Sequence, residues 1–228
     1  MFKAEFIDRG YKEILVLIPG WATDKHIFDS LDLNYNYISL IEFSPSNFTD
    51  GLSRYLEDSF IDKVSMLGWS MGAFLAADFT VKNMEKVNEL YLLSIRNKYD
   101  PEFLKVIKDK LERNKDAWLY KFYMDCFSRQ DPEGLKRFKR GLLKDYLKKH
   151  ELSGLYEGLD YLSKAELDTG VLARVERLKI FHGVDDAIAP FKEAQEIGEK
   201  VPNARFVAMQ GTGHALFLSP LFKEVFYE

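Results

Sequence analysis

Two kinds of hydrophobic pattern alternate along this chain. Ile14-Leu15-Val16-Leu17-Ile18 is an unbroken apolar run of five residues. A run so short, and continuous rather than alternating, reads as a strand buried on both faces. Tyr37–Phe43, Lys63–Leu67, Val87–Ser94, Leu178–His182 and Ala204–Met209 read the same way. Between them lie helix-prone stretches: Thr49–Phe60, with Thr49 and Asp50 as capping candidates, Met71–Lys82 and Pro190–Lys200. Ala215–Phe226 is expected to be helical despite Pro220. Buried strands spaced by helices predict an α/β fold, a mostly parallel sheet with helices on both faces. About one further strand fits before Glu13.

Residues 97–165 break the alternation. They are rich in Leu, Lys and aromatic residues and hold no convincing strand. Asp100-Pro101-Glu102 has the form of a helix start, with Asp100 capping and Pro101 in the first turn. The segment reads as a helical lid inserted into a core formed by residues 1–96 and 166–228.

The chemistry concentrates at the ends of predicted strands. Gly68-Trp69-Ser70-Met71-Gly72 stands between a strand and a helix, the setting of a nucleophile elbow. Residues two before and two after such a serine must be small, because the turn is too tight for side chains. The serine then sits at a helix N-terminus, where free N–H groups favour a developing oxyanion. A serine hydroxyl needs a base, and the base needs an orienting acid. His214, in Gly211-Thr212-Gly213-His214 after the last predicted strand, is the candidate base. For the acid, the Gly-x-x-Asp-x-x-x-Pro spacing from Gly183 to Pro190 selects Asp186, with Asp185 as the alternative. The oxyanion donors are expected to be the backbone N–H groups of Met71 and Trp21. His182 is read as structural, His26 as near the pocket mouth, and His150 as part of a basic helix.

Composition narrows the reading. A net charge of −4 over 228 residues argues against nucleic-acid binding and gives no general attraction to anionic membranes. No apolar run approaches the length of a membrane span. The first residues lack the shape of a signal peptide, and Cys126 is the only cysteine, most simply a buried hydrophobe. A cytoplasmic protein without disulfides, bound metal or cofactor is expected. The charge is unevenly spread. Residues 97–165 carry a net +4 and the remainder −8. Arg137, Arg140, Lys144 and Lys148 recur at helical spacing, with Phe138, Leu142 and Tyr146 on an adjoining apolar face. Trp69, Trp118, Phe122 and Phe127 are candidates to line a tunnel at the site or to fill the lid's own core.

Ile18-Pro19-Gly20-Trp21, Gly68-Trp69-Ser70-Met71-Gly72-Ala73, the Gly183…Asp186…Pro190 run and Gly213-His214-Ala215 resemble α/β-hydrolases over nearly the whole chain. Within them the chain is most similar to the family of pimeloyl-[acyl-carrier protein] methyl ester esterases of biotin synthesis. The resemblance implies a serine carboxylesterase that releases methanol from an acyl chain held on acyl-carrier protein. It implies Ser70, His214 and Asp186 as triad and Trp21 and Met71 as oxyanion donors. Trp69 and Phe122 are expected to bind substrate. Arg137, Arg140 and Lys144 are expected to bind the acidic carrier protein, and the enzyme is expected to be a monomer. The family usually has His-Gly where this chain has Pro19-Gly20. A general esterase or acyl thioesterase, a lyase of menaquinone synthesis and a non-catalytic binding protein on the same scaffold are the alternative readings.

Overall fold

The computed structural model describes residues 1–228. Seven strands form one sheet: β1 (Lys3–Ile7), β2 (Ile14–Ile18), β3 (Asn36–Glu42), β4 (Val64–Trp69), β5 (Val87–Leu93), β6 (Leu178–Gly183) and β7 (Ala204–Met209). Their spatial order is β1-β3-β2-β4-β5-β6-β7. Only β1 runs antiparallel, pairing with β3 at the edge. The continuous apolar run of β2 lies between β3 and β4, where helices cover both faces and alternation is unnecessary.

The helices of the core are α1 (Phe48–Asp58), α2 (Met71–Lys82), α7 (Thr169–Leu172), α8 (Phe191–Lys200) and α9 (Phe222–Tyr227). Phe48, Leu52 and Leu56, four residues apart, give α1 a single buried stripe. In α2 nearly every side chain from Met71 to Thr80 is buried, so this helix is a core element rather than a surface one. Between β5 and β6 the chain forms α3 (Pro101–Asp125), α4 (Pro132–Gly141), α5 (Leu143–Lys149) and α6 (Leu152–Leu162). This is the α/β-hydrolase architecture expected from the sequence, with an added helical region. Asp100 caps α3 by accepting the Glu102 N–H at 2.9 Å, ahead of Pro101. None of the helices is long and apolar enough to cross a membrane.

Three expectations are corrected. The cap of α1 is Asn47, not Thr49 or Asp50, because a short 3-10 turn from Pro45 to Asn47 already starts the helical path. The C-terminal segment is not one helix. Leu216–Leu218 is a 3-10 turn, Ser219 is extended, and α9 begins only at Phe222. Pro220 explains this, since the residue before a proline is pushed out of helical conformation. Arg137, Arg140, Lys144 and Lys148 do not share one helix either. Leu142 (φ −124°, ψ −35°) separates α4 from α5, so the basic stripe is divided between two short helices. Phe138 and Tyr146 do pack inward, as their spacing predicts.

Candidate active site

All strands but β1 are parallel, so the carboxyl ends of β2, β4, β6 and β7 lie along one edge of the sheet. The loops leaving that edge carry Trp21, Ser70, Asp186 and His214. Crevices at this edge are where open α/β sheets bind ligands.

At the end of β4 the backbone turns at Ser70 with φ 56° and ψ −116°, and α2 begins at Met71. The two glycines around it are required by contact. A Cβ on Gly68 would lie 2.2 Å from the Gly72 carbonyl oxygen, and one on Gly72 would lie 2.2 Å from that of Ile18. Ser70 Oγ donates to His214 Nε2 at 2.8 Å. His214 Nδ1 donates to Asp186 Oδ2 at 2.7 Å. The other carboxylate oxygen of Asp186 accepts the N–H groups of Ile188 and Ala189, both at 2.8 Å. Burial by itself would raise the Asp186 pKa. The facing His214 and the bonds to its oxygens outweigh that and hold it below the usual carboxylate value. Asp185 points elsewhere, accepting from Ser128 Oγ at 2.6 Å and Gln130 Nε2 at 3.2 Å.

The His214 backbone is held from behind. Ser94 Oγ and Trp69 Nε1 both donate to the His214 carbonyl, at 2.6 and 2.8 Å. Ser94 itself sits at φ 55° at the end of β5, yet its hydroxyl serves the His214 backbone and not the ring. Sequence reading did not find Ser94, since a lone serine after a strand carries no signal. Trp69 lies beneath the elbow rather than against a substrate space: its ring packs on His214 and Phe217.

Ser70 opens onto an apolar cavity of about 290 Å³. Trp21, Trp118, Phe122, Leu159 and Ile188 are among its walls, and Lys110, Lys121 and Asp125 are its charged residues. Tyr99 also lines it; burial pushes the Tyr99 phenol up to about 12, so it stays protonated. A larger polar groove of about 740 Å³ runs between residues 96–101, 163–169 and α8. It contains neither Ser70 nor His214, so the smaller cavity is the one joined to the chemistry. Phe122 and the Trp21 ring thus both face the cavity that holds Ser70. Arg137, Arg140 and Lys144 are exposed on α4 and α5 and line no part of this cavity. Phe127 packs on Phe138 within the helical region between β5 and β6. His26 is exposed and bonded to Asp29, away from the cavity.

The N–H of Met71, the first residue of α2, has no intrahelical partner. That of Trp21 enters no backbone hydrogen bond. Gly20 lies against the nucleophile: a Cβ there would be 3.2 Å from Ser70 Cβ. Cys126 is buried, and burial pushes its thiol well above the usual range, which leaves it an inert packing residue.

His182, fully buried, donates Nε2–H to the Ala189 carbonyl at 2.9 Å and lies 3.4 Å from Asp186 Oδ2. Burial, more than the opposing Asp186 charge, drives its pKa below 6.5. In the unfolded chain the same imidazole takes up a proton below about 6.5. The unfolded state then binds a proton the folded state does not, so stability falls as pH drops from that value. Scanning calorimetry from pH 7.5 to 5 should show Tm of the native protein declining more steeply than that of His182→Gln. Parallel curves would remove His182 as the source.

No family model matches the chain. It is 25 % identical over 232 residues to the pimeloyl-[acyl-carrier protein] methyl ester esterase of Nitrosomonas europaea, with 90 % of each chain covered. An esterase from Exiguobacterium antarcticum superposes with a TM-score of 0.82 at 18 % identity, covering 99 % of this chain and 94 % of the other. A bromoperoxidase from Bacillus anthracis superposes equally well, at 0.82 and 19 %, with the same coverage. Such structural likeness establishes the α/β-hydrolase fold and leaves the reaction to the site itself. On that fold, a strained serine joined through a buried imidazole to a buried carboxylate is the arrangement of a serine hydrolase.

Proposed function

We propose that this protein is a serine carboxylesterase, and that its substrate is the methyl ester of a pimeloyl chain carried on acyl-carrier protein. The observation that carries the esterase reading is the hydrogen-bonded chain Ser70–His214–Asp186 opening onto an apolar cavity. His214 takes the Ser70 proton as Oγ attacks the ester carbonyl. The N–H groups of Trp21 and Met71 receive the oxyanion. His214 then hands the proton to the departing alcohol, and water, activated by the same imidazole, releases the acid. Asp186 fixes the tautomer and stabilises the imidazolium. Residues 97–165 serve as the lid above the cavity.

The finer substrate assignment draws on two supports: the likeness to the Nitrosomonas pimeloyl-[acyl-carrier protein] methyl ester esterase and the charge of residues 97–165. A net +4 on residues 97–165, with Arg137, Arg140 and Lys144 exposed, suits an acidic carrier protein. These cations act at a distance from the cavity, by steering and docking. Methanol release from pimeloyl-acyl-carrier-protein methyl ester tests this beside hydrolysis of a short p-nitrophenyl ester. Reversing all three charges to Glu should lower kcat/KM for the carrier-protein substrate by about 10- to 100-fold at low salt, and leave the small ester unchanged. Equal effects on both substrates, or none, would remove the carrier-protein role.

A general short-chain esterase or acyl thioesterase is the second reading. The cavity volume favours it, since about 290 Å³ lies at the small end for a ligand site. Fast cleavage of the small ester with none of the carrier-protein substrate would select it.

A further inference from the structure

The loop bearing Trp21 is held by the insertion. Within residues 20–24, Thr23 Oγ1 donates to the Gly20 carbonyl at 2.9 Å, and Pro19 before it brings no donor. Every hydrogen bond that reaches this loop from beyond its own following turn comes from α3, α5 or α6. Tyr123 Oη on α3 donates to the Ala22 carbonyl at 2.6 Å. Trp21 Nε1 donates to the Leu155 carbonyl on α6 at 2.8 Å. Asp24 accepts from Tyr146 Oη at 2.9 Å and pairs with Lys149, both on α5.

The backbone of the loop is under strain. Ala22 has φ 56°, a left-handed conformation that a residue with a Cβ adopts only when its surroundings impose it. The Tyr123 hydroxyl is bonded to the carbonyl of this same residue, next in sequence to Trp21. Tyr123 is buried, and burial pushes its phenol up, so it remains a donor at any physiological pH. Turning Ala22 back to an ordinary conformation reorients the Trp21–Ala22 peptide, which carries the Trp21 carbonyl. The chain then fits its fixed ends only if Trp21 shifts too, and the Trp21 N–H in the preceding peptide moves with it.

We propose that Tyr123 is a positioning residue for the oxyanion hole: the insertion, by bonding the Ala22 carbonyl, aims the Trp21 N–H at Ser70. This rests on the esterase reading above and goes beyond it. It makes residues 97–165 part of the catalytic machinery, not only a cover. A displacement of the insertion then disassembles the hole, so ester attack is fast only when α3 is seated on the loop.

The test is Tyr123→Phe, which keeps the ring and removes only the hydroxyl. Four readouts apply: kcat and KM on a p-nitrophenyl ester, binding of an alkyl boronic acid, binding of the product acid, and amide hydrogen exchange over residues 20–24. We expect kcat to fall by about 10- to 100-fold with KM within about twofold. Boronate binding, which forms a tetrahedral anion on Ser70, should weaken by a similar factor, product-acid binding should hold, and exchange in the loop should quicken. A purely structural role would change Tm and both affinities together. Unchanged kcat in the variant overturns the proposal whether or not exchange quickens, and so does exchange that stays slow. Ester hydrolysis and boronate binding by the native protein report separately on the esterase reading. If the native protein shows neither, that reading falls, and the oxyanion role of Tyr123 with it.

Discussion

Ser70→Ala lowers kcat by at least about 10⁴-fold, to the residue of catalysis that binding and oxyanion stabilisation provide without a nucleophile. The expectation follows from the turn at the end of β4. The φ of 56° at Ser70 and the backbone contacts of Gly68 and Gly72 fix where Oγ stands, 2.8 Å from His214 Nε2. No other hydroxyl is bonded to that nitrogen, and the neighbouring Ser94 is committed to the His214 carbonyl. Alanine keeps the Cβ and the same backbone, so the fold is preserved; the lost hydrogen bond costs about 1 kcal/mol. Steady-state hydrolysis of a p-nitrophenyl ester, beside a Tm measurement, checks both halves. Retention of more than about one per cent of kcat assigns the nucleophile elsewhere.

Asp186→Asn is expected to cost about 10⁴-fold in kcat with little change in structure. The reason lies in how the carboxylate is shared. One oxygen accepts the N–H groups of Ile188 and Ala189, and an asparagine keeps those bonds by placing its carbonyl oxygen there. Its NH₂ then faces His214 Nδ1, where Asp186 Oδ2 now accepts. The imidazole must turn its lone pair to that NH₂ and carry its proton on Nε2, where it cannot take the proton of Ser70. Asp185→Asn touches only Ser128 and Gln130 and should change kcat by less than about threefold. Kinetics of the two variants side by side decide between the adjacent aspartates; the larger loss at Asp185 would reverse the assignment.

Much of the arrangement was legible because local rules act there without competition. A five-residue apolar run has little choice but a buried strand, and the elbow glycines are dictated by backbone contact at 2.2 Å. The Gly183-to-Pro190 spacing works because the acid loop must turn at once after β6 and let Asp186 reach two N–H groups ahead of α8. Where the reading failed, a longer-range or sharper local effect decided the outcome. Pro220 broke the last helix, and a departure of one residue at Leu142 divided the basic stripe. Trp69 reads from the sequence as an aromatic that lines the substrate space or fills the lid's core. Strand alternation instead turns it beneath the elbow, onto the His214 carbonyl. The contacts of Tyr123 and Asp24 link positions about a hundred residues or more apart, and nothing in a single sequence announces them.

The measurement that bears most directly on the esterase reading is labelling by a fluorophosphonate followed by peptide mass spectrometry. A stoichiometric adduct on Ser70 in the native protein is the predicted result, absent in Ser70→Ala and formed at least about 100-fold more slowly in His214→Ala. An adduct on another residue, or none under conditions that label a known serine esterase, would contradict it and favour a receptor that keeps the hydrolase fold without its reaction.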